Sequence, residues 1–448
     1  EPGSHFNSGT RMITLDYLTR ADASGAFRGL SNVPKKAITM GINTVLGAKR
    51  IVLLGWGQNK AEILKETIEG EISSHVPATY LQEHENTTFV LDDAAASELT
   101  RVKTPWLVGT CDWTKELTAK AVFWLCQKVN KTILSLTDKD YNDNGMSDLL
   151  ALQGSAYNLN IEMFNKLQHT IPGWPGGKPG ADDTNRPERA EPAKKRVIIF
   201  SPHPDDDVLS MGGTFDRLVE QGHEVHIAYQ TSGNIAVSDH EALKFAEVAA
   251  QIGNGDKEKF AAIADQIKNK QRNEIDPVEV RQLKGIIRRC ESLGATRFEG
   301  VPDEHVHFLD LPFYETGGIK KNPMSQDDVD IVNDLIATVK PHQIYAAGDL
   351  ADPHGTHKVC LNIIFESLEQ LKSEAYMNDC WVWLYRGAWH EFEMHEIEMA
   401  VPMSPDQVLK KRQAIFYHQS QKDGVMFQGE DLREFWVRAE DRNKETAS

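Results

Sequence analysis

Residues 196–207 read RVIIFSPHPDDD, and this stretch decides the fold of the second half of the chain. Residues 196–200 form an apolar, β-branched run that predicts a buried strand, and a loop with one imidazole and three carboxylates follows directly. Residues 211–221 then predict a helix, and residues 223–231 predict a second strand. This order is a βαβ unit, which predicts a parallel sheet with a right-handed crossover.

The same alternation continues towards the carboxyl terminus. Residues 280–293 predict a helix, residues 342–348 (HQIYAAG) a strand and residues 357–371 another helix. Residues 236–273 are rich in Ala, Lys, Glu and Gln, and they predict either a helical insertion near the mouth of the site or a plain surface hairpin. We therefore expect residues 196–448 to form an α/β domain with a Rossmann-like parallel sheet.

A segment rich in Pro, Gly and charged residues, 171–195, predicts an interdomain linker. Before it, residues 50–56 (RIVLLGW) predict a strand and residues 60–70 a helix. Residues 117–129 and 146–167 also predict helices. The first domain, 1–170, is expected to be α/β with a helical extension.

Length and composition restrict the class of protein. A chain of 448 residues favours two or more domains. The net charge of -17 argues against a nucleic-acid partner, and no apolar run approaches the roughly 20 residues that span a bilayer. Five scattered cysteines without a CxxC pair predict a cytoplasmic location. The chain begins with Glu rather than Met, so we expect a truncated amino terminus.

Two polar clusters follow predicted strands, where open α/β sheets place their ligands. One is His203 with Asp205, Asp206 and Asp207, and the other is the sequence DPHGTH at residues 352–357. Closely spaced carboxylates repel one another unless a cation lies among them. Together the clusters predict an open three-ligand zinc site, or a site for another divalent metal. The alternative is a solvated acidic turn or a helix cap.

The HPDD-type loop and the later HxxH resemble the PIG-L/LmbE family of metal-dependent de-N-acetylases over residues 196–435. The resemblance implies that His203, Asp206 and His357 bind zinc. It further implies that Asp205 is the general base and that His354 polarises the amide or stabilises the oxyanion. The expected reaction is hydrolysis of an N-acetyl group, releasing acetate and a free amine.

Three positions concern the family pattern beyond the ligands. Asp207 stands where the family commonly has Glu, which leaves its role open. Arg281 matches the family's substrate-binding Arg, with an ordinary exposed helical Arg as the alternative. The Glu that often follows three residues later in the family is Lys284 in this chain.

The first domain resembles the carboxyl-terminal half of glucosamine-6-phosphate deaminases over residues 1–101, most clearly in VPKKAITMGINTVLGAKRIVLLGWGQNKAEIL, which ends at residue 64. The resemblance implies a partial domain in which Gly57 and Lys60 bind a sugar phosphate. A solvated first-turn Lys is the alternative for Lys60. Glu1 falls on a motif whose Glu assists opening of the sugar ring.

Other features of the first domain depart from a complete deaminase. Its catalytic Asp and early phosphate loop would precede residue 1, so we expect no deamination from this chain alone. Gly25 stands where a phosphate-binding Arg is usual, with Arg28 nearby. Ile13 replaces a regulatory Lys, whereas Arg11 remains.

These observations lead to one leading hypothesis and two alternatives. The leading hypothesis is a fusion enzyme of amino-sugar metabolism that hydrolyses an N-acetyl group from an amino sugar with zinc. The first alternative is a glucosamine-6-phosphate deaminase in the full-length protein, with the second domain as an accessory. The second is a non-catalytic sugar-phosphate-binding module. The expected partner is a small N-acetylated amino sugar or sugar phosphate, and a homo-oligomer is possible.

Overall fold

The computed structural model describes residues 2–24, 27, 32–184, 186–253, 255–271, 274–318, 320–352, 355–422 and 433–448. Nine strands are present in these ranges: β1 Arg11–Thr14, β2 Lys36–Thr39, β3 Ile51–Gly55, β4 Thr87–Leu91, β5 Arg196–Ser201, β6 Glu224–Tyr229, β7 Val306–Phe308, β8 Gln343–Ala347 and β9 Trp381–Tyr385. The α-helices of the same ranges are α1 Tyr17–Ser24, α2 Ile42–Leu46, α3 Ala61–Glu69, α4 Asp93–Ala96, α5 Thr100–Lys103, α6 Lys115–Val129, α7 Asp138–Asp143, α8 Ser147–Gln153, α9 Ala156–His169, α10 Asp206–Glu220, α11 Asp239–Ile252, α12 Lys257–Asn269, α13 Val278–Glu299, α14 Gln326–Val339, α15 Thr356–Leu371, α16 Pro405–Ile415, α17 Gln419–Lys422 and α18 Phe435–Ala447.

The chain divides into two compact units. The first comprises Glu1–Arg20, Pro34–Ile171 and Glu393–Glu398, and the second comprises Ala21–Val33, Pro172–Phe392 and Met399–Ser448. The predicted division at a linker of residues 171–195 stays a prediction. None of the helices in the described ranges combines the length and the apolar character needed to cross a bilayer.

The second unit is built on a five-stranded sheet in the order β7-β6-β5-β8-β9, in which every neighbouring pair is parallel. This arrangement confirms the predicted α/β class and the predicted parallel sheet. Helix α10 crosses from β5 to β6, as the βαβ pattern predicts. The carboxyl ends of β5 and β8 are therefore adjacent, which brings the two polar clusters to the same edge.

Alternate side chains of the central strands enter two separate cores, one on each face of the sheet. Val197 and Ile199 of β5 pack with Val208 and Phe215 of α10 on one face. Ile198 and Phe200 of β5 pack with residues of α14 and α15 on the other face. Because both faces are covered, β5 is a continuous apolar run rather than an alternating one.

The insertion predicted for residues 236–273 is a pair of helices, α11 and α12. Ala242 and Ala246 of α11 pack against Ile263 and Ile267 of α12. Val280 and Ile287 of α13 join the same small core. Helices α11 and α12 thus pack against α13 rather than against the sheet.

The first unit contains two small sheets and a helical part. Strands β1 and β2 pair antiparallel, and β3 and β4 pair in parallel. Helices α6 to α9 enclose a core that includes Leu125, Tyr141 and Leu159, which matches the predicted helical extension. The helix predicted over residues 146–167 is two helices, since Gly154 has φ +98° and ends α8. The five cysteines, all within the described ranges, are unpaired.

Residues 172–195 belong to the second unit and pack closely there. Gln343 of β8 donates hydrogen bonds to the carbonyl oxygens of Pro175 (3.2 Å) and Glu188 (3.3 Å). Gly177 has φ +93°, and a Cβ at this position would lie 2.0 Å from the carbonyl oxygen of Arg189. Both its backbone conformation and its surroundings therefore require glycine.

A Gly177→Ala substitution is expected to destabilise the second unit more than Gly180→Ala does. Gly180 also has a positive φ, +69°, but a Cβ there meets no atom within 4 Å. The left-handed conformation costs about 1–3 kcal/mol in either variant, and the collision with Arg189 adds to that cost only at residue 177. Urea unfolding of both variants measures the difference. Equal free energies of unfolding would contradict the close packing of this segment.

Candidate active site

The loop between β5 and α10 holds its polar side chains by local hydrogen bonds. The Ser201 hydroxyl donates to the carbonyl oxygen of His203 (2.6 Å), and the Asp207 backbone N–H donates to the Ser201 hydroxyl (3.1 Å). Asp205 has φ +154°, which an L-amino acid rarely adopts. Helix α10 begins at Asp206, five residues before the predicted start, so Asp206 and Asp207 lie in the helical first turn, where the helix dipole favours carboxylates.

Three possible ligand atoms converge at the edge of the sheet. Oδ2 of Asp206 lies 3.3 Å from Nδ1 of His203 and 3.2 Å from Nε2 of His357. The two imidazole nitrogens lie 3.3 Å from each other. A tetrahedral zinc ion with bonds of 2.0–2.1 Å separates its ligand atoms by about 3.4 Å. The three predicted ligands therefore lie at the spacing that zinc requires.

The hydrogen bonds of His357 point one lone pair into this cluster. Its Nδ1 lies 2.9 Å from the carbonyl oxygen of Asp349, an acceptor, so Nδ1 carries the proton in the neutral ring. Nε2 then presents a lone pair towards Asp206 and His203. Asp352 accepts hydrogen bonds from the backbone N–H groups of Thr356 (2.6 Å) and His357 (3.2 Å), which holds the first turn of α15. The donor set therefore fits a divalent cation.

The electrostatics of the cluster are strongly coupled. Burial raises the pKa of Asp206, but His357 and His203 beside it lower the pKa below its usual value overall. Burial lowers the pKa of His357, but Asp206 raises it above its usual value overall. An anionic carboxylate between two imidazoles thus favours a positive charge at this point.

Asp205 lies beside the three atoms without joining them. Its Oδ2 lies 3.1 Å from Nη2 of Arg288, and the Arg288 side chain is 1% exposed. Burial raises the pKa of Asp205, and Arg288 opposes part of that rise. A buried carboxyl with a raised pKa that faces a cavity can accept a proton from water.

Asp207 has a structural environment, although its role was open from the sequence. It is fully buried and accepts hydrogen bonds from the hydroxyls of Ser201 (3.2 Å) and Tyr229 (2.9 Å). Both carboxylate oxygens are therefore used inside the fold. Of the three consecutive aspartates, Asp205 and Asp206 line the cavity, whereas Asp207 connects β5, α10 and β6.

A cavity of about 740 Å³, counted to its open mouth, lies in front of these groups. Its wall includes His203, Asp205, Asp206, Arg288, Tyr314 and Lys321. Nζ of Lys321 lies 3.4 Å from the centre of the Tyr314 ring, and burial lowers the pKa of this lysine to about 8. The basic side chains of Arg288 and Lys321 therefore both line this cavity.

Two residues of this region were missed by sequence reasoning. Arg288, rather than the predicted Arg281, lines the cavity, because it lies two turns further along α13 on the same helical face. The Arg281 guanidinium instead donates to the carbonyl oxygen of Glu315 (3.1 Å). His418 is buried in a small pocket beside Asp205, and within the described ranges neither ring nitrogen has a hydrogen-bond partner. The only sequence signal for Arg288 was its position seven residues, or two helical turns, after Arg281.

Several residues singled out in the sequence lie outside the described residues. They are Glu1, Gly25, Arg28 and His354. Their predicted roles in ring opening, phosphate binding and amide polarisation stay predictions.

In the first unit, Gly57 and Lys60 lie where the sequence places them, between β3 and α3. Gly57 has φ +88°, and its backbone N–H lies 3.1 Å from Oδ1 of Asp92, to which it donates a hydrogen bond. Lys60 is exposed at the residue before α3. The Gly-rich turn that precedes the helix is therefore present.

Lys284, where the resembling family often has Glu, is a buried ion-pair partner. Its Nζ lies 2.6 Å from Oδ1 of Asp239 on α11 and 2.7 Å from Oδ2 of Asp276. The Lys284 side chain is 3% exposed, whereas that of Asp239 is 43% exposed. The lysine therefore anchors the inserted helices to α13.

A Lys284→Ala substitution is expected to lower the free energy of unfolding by about 3 kcal/mol. This value is at the low end for a broken buried ion pair, because Asp239 remains partly hydrated. Lys320→Ala, at an exposed position of the same unit, is the matched control. Chemical denaturation of both variants measures the effect, and equal stabilities would contradict the anchoring role of Lys284.

Comparison with known proteins adds two independent likenesses. Residues 198–368 match the family model described as PIG-L, GlcNAc-PI de-N-acetylase. The chain is 54% identical over 458 residues to the putative glucosamine-6-phosphate deaminase-like protein of Bacteroides thetaiotaomicron, an alignment that covers 100% of this chain and 69% of that protein.

Other relatives match one part of the chain. The glucosamine-6-phosphate deaminase of Clostridium novyi is 43% identical over 99 residues, which cover 22% of this chain and 41% of that enzyme. The chain thus spans about two fifths of that deaminase. The solved structure of the N,N'-diacetylchitobiose deacetylase from Pyrococcus horikoshii is 18% identical, covers 53% of this chain and 73% of that chain, and has a TM-score of 0.32.

Proposed function

This chain belongs to the family of the Bacteroides glucosamine-6-phosphate deaminase-like protein, and from that premise we propose that its second unit is a zinc-dependent hydrolase of N-acetylated amino sugars. The observation that carries the proposal is the convergence of Asp206, His203 and His357 within 3.2–3.3 Å, with the carboxyl group of Asp205 beside them in one cavity. The family match over residues 198–368 supports the same chemistry.

Each side chain has a defined task in this proposal. His203, Asp206 and His357 would hold the zinc ion, which when bound would supply Lewis acidity and lower the pKa of a water molecule. Asp205 accepts the proton from the attacking water, while Arg288 holds the carboxylate through its contact of 3.1 Å. Asp349 orients the ring of His357 through its carbonyl oxygen. The bond that breaks is the amide C–N bond, so acetate and a free amine leave.

The charges of the cavity favour a polar or anionic substrate. Lys321 and Arg288 face the same space, and both side chains are removed from bulk water. A sugar hydroxyl or a phosphate group can accept hydrogen bonds from them. We therefore assign an N-acetylated amino sugar or its phosphate as the substrate class.

The test is release of acetate by the purified full chain. The protein is stripped with a chelator, reloaded with zinc and supplied with N-acetylglucosamine, its 6-phosphate and chitooligosaccharides. Acetate release that depends on zinc is the expected result. Asp334→Asn, an exposed carboxylate on α14, is the control and should retain full activity. Absence of acetate from every N-acetylated sugar, with zinc bound, would overturn the proposal.

For the first unit we propose a sugar-phosphate subsite at the turn of Gly57 and Lys60. The support is the glycine at positive φ followed by a helix start with an exposed lysine, together with the 43% identity to a deaminase over 99 residues. Alongside the acetate assay with N-acetylated sugars, a parallel reaction with glucosamine-6-phosphate measures ammonia. Acetate without ammonia favours the deacetylase, whereas ammonia alone favours a deaminase with an accessory second unit. Tight sugar-phosphate binding without either product favours a binding module.

A further inference from the structure

A second group of possible metal ligands lies on β6 and β7, away from the edge that carries the cavity. It comprises Glu224 and His226 of β6, with His305 immediately before β7. One ligand atom from each residue lies within 4.8 Å of the others. Because β6 pairs with β7 in parallel, the strands bring together residues about 80 positions apart in sequence.

The alternation of the strands explains why these side chains meet. Val306 and Phe308 of β7 pack against the core on one face of the sheet. His305 and His307 therefore point to the opposite face, where Ala228 of β6 is buried. His226, two residues before Ala228, points to that same face. Four polar side chains thus share one patch of a sheet face that is otherwise apolar.

The contacts within the patch are close and involve ring nitrogens. Nε2 of His226 lies 3.3 Å from Oε1 of Glu224, and Nδ1 of His226 lies 3.0 Å from Nε2 of His307. The ring centre of His305 lies 4.2 Å from that of His226. His226 is 7% exposed, whereas the Glu224 side chain is 35% exposed. The cluster therefore combines a buried imidazole with an accessible carboxylate.

The two contacts of His226 resemble the surroundings of a metal-binding histidine. Such a ring binds the ion through one nitrogen and donates the other N–H to an outer acceptor. In His226, Nε2 faces Glu224, while Nδ1 can donate to His307. A metal ion bound at Nε2 would leave the N–H on Nδ1, where it donates to His307.

The charge of the patch also suits a cation. Arg196 of the adjacent strand is the register partner of Glu224, and its Nη2 donates to the carbonyl oxygen of Lys340 (2.6 Å). The anionic Glu224 then offsets part of the charge of a divalent ion.

We propose that Glu224, His226 and His305 bind a divalent transition-metal ion, with His307 as the hydrogen-bond partner of His226. Imidazole ligands select zinc or a neighbouring transition metal over calcium or magnesium. The ion would join the three-residue edge strand β7 to β6, so its role is structural. This site does not depend on the hydrolytic proposal.

The test separates the two metal sites by mutation. Chelator-stripped full chain is titrated with zinc alone and with cobalt(II) alone, and bound metal is counted by native mass spectrometry. Two ions per chain are expected for the wild type and one for His203→Ala/His357→Ala. Adding His305→Ala to that variant should remove the remaining ion, with a loss of zinc affinity of at least about 100-fold. Visible cobalt(II) absorption should disappear at the same step.

Two controls keep the result interpretable. His240→Ala, at an exposed position on α11, should retain both ions. Glu224→Gln keeps the size of the side chain and should weaken the second site without unfolding the chain, as circular dichroism would show. Loss of all bound metal in His203→Ala/His357→Ala, or an unchanged second ion in the His305→Ala background, would overturn the proposal. If the wild-type chain bound this second ion but released no acetate, only the proposed hydrolytic function would be contradicted.

Discussion

An Asp205→Asn variant is expected to lose about 10²- to 10⁴-fold in kcat for acetate release while it keeps its full complement of metal. Asparagine has the same shape and its amide oxygen can still contact Arg288, so the loop should keep its structure. The neutral side chain of asparagine cannot accept the proton of a water molecule. The three converging atoms belong to His203, Asp206 and His357, so zinc binding does not need Asp205.

The measurement combines steady-state kinetics with elemental analysis of the purified protein. KM should change much less than kcat, because the substituted group acts on the attacking water rather than on substrate binding. The exposed Asp334→Asn control should match the wild type in both quantities. A variant with unchanged kcat would exclude Asp205 as the base. A variant that lost both activity and zinc would place Asp205 among the ligands.

The central strands were predictable because they are buried on both faces. After a polar first residue, β5 and β8 carry the apolar runs VIIF and IYAA, and such runs are visible in a single sequence. β7 has only three residues, too few to show a pattern. β9 is a continuous apolar run, WVWLY, but its first four positions are exposed or partly buried, and neither edge strand was predicted.

The metal-binding cluster was predictable for a different reason. Its residues follow β5 and β8, and parallel strands of one sheet place their carboxyl ends at the same edge. Arg288 had no such signal, because it lies on a long helix about 80 residues after the loop. Its contact with Asp205 depends on how α13 packs beside α10, which side-chain packing decides.

The start of α10 was predicted five residues too late. The sequence predicted a helix only from Met211, after the loop of residues 201–207. The helix instead begins at Asp206, because acidic side chains are favourable in a helical first turn. One consequence is that Asp206 is held by helical backbone rather than by a loop, which fixes the direction of its carboxylate.

A His203→Ala/His357→Ala variant is expected to lose one metal ion per chain and all acetate release above background. Removing two of three ligands leaves Asp206 alone, and a single carboxylate does not hold zinc. When the free zinc concentration is about 1,000 times the Kd of this site, the bound ion raises the free energy of unfolding of the wild type by about 4 kcal/mol. The variant should lose that zinc-dependent gain, in addition to any cost of the substitutions in metal-free protein.

Differential scanning calorimetry with and without zinc measures this difference. The comparison is made in a Glu224→Gln/His305→Ala background, so that only the site at Asp206 contributes to the zinc-dependent shift. Activity of chelator-stripped wild type should return with zinc, whereas the ligand variant should stay inactive at the same concentration. If the variant kept the stabilisation by zinc, the ion would have to bind elsewhere, and the hydrolytic role of the cluster would be lost with it.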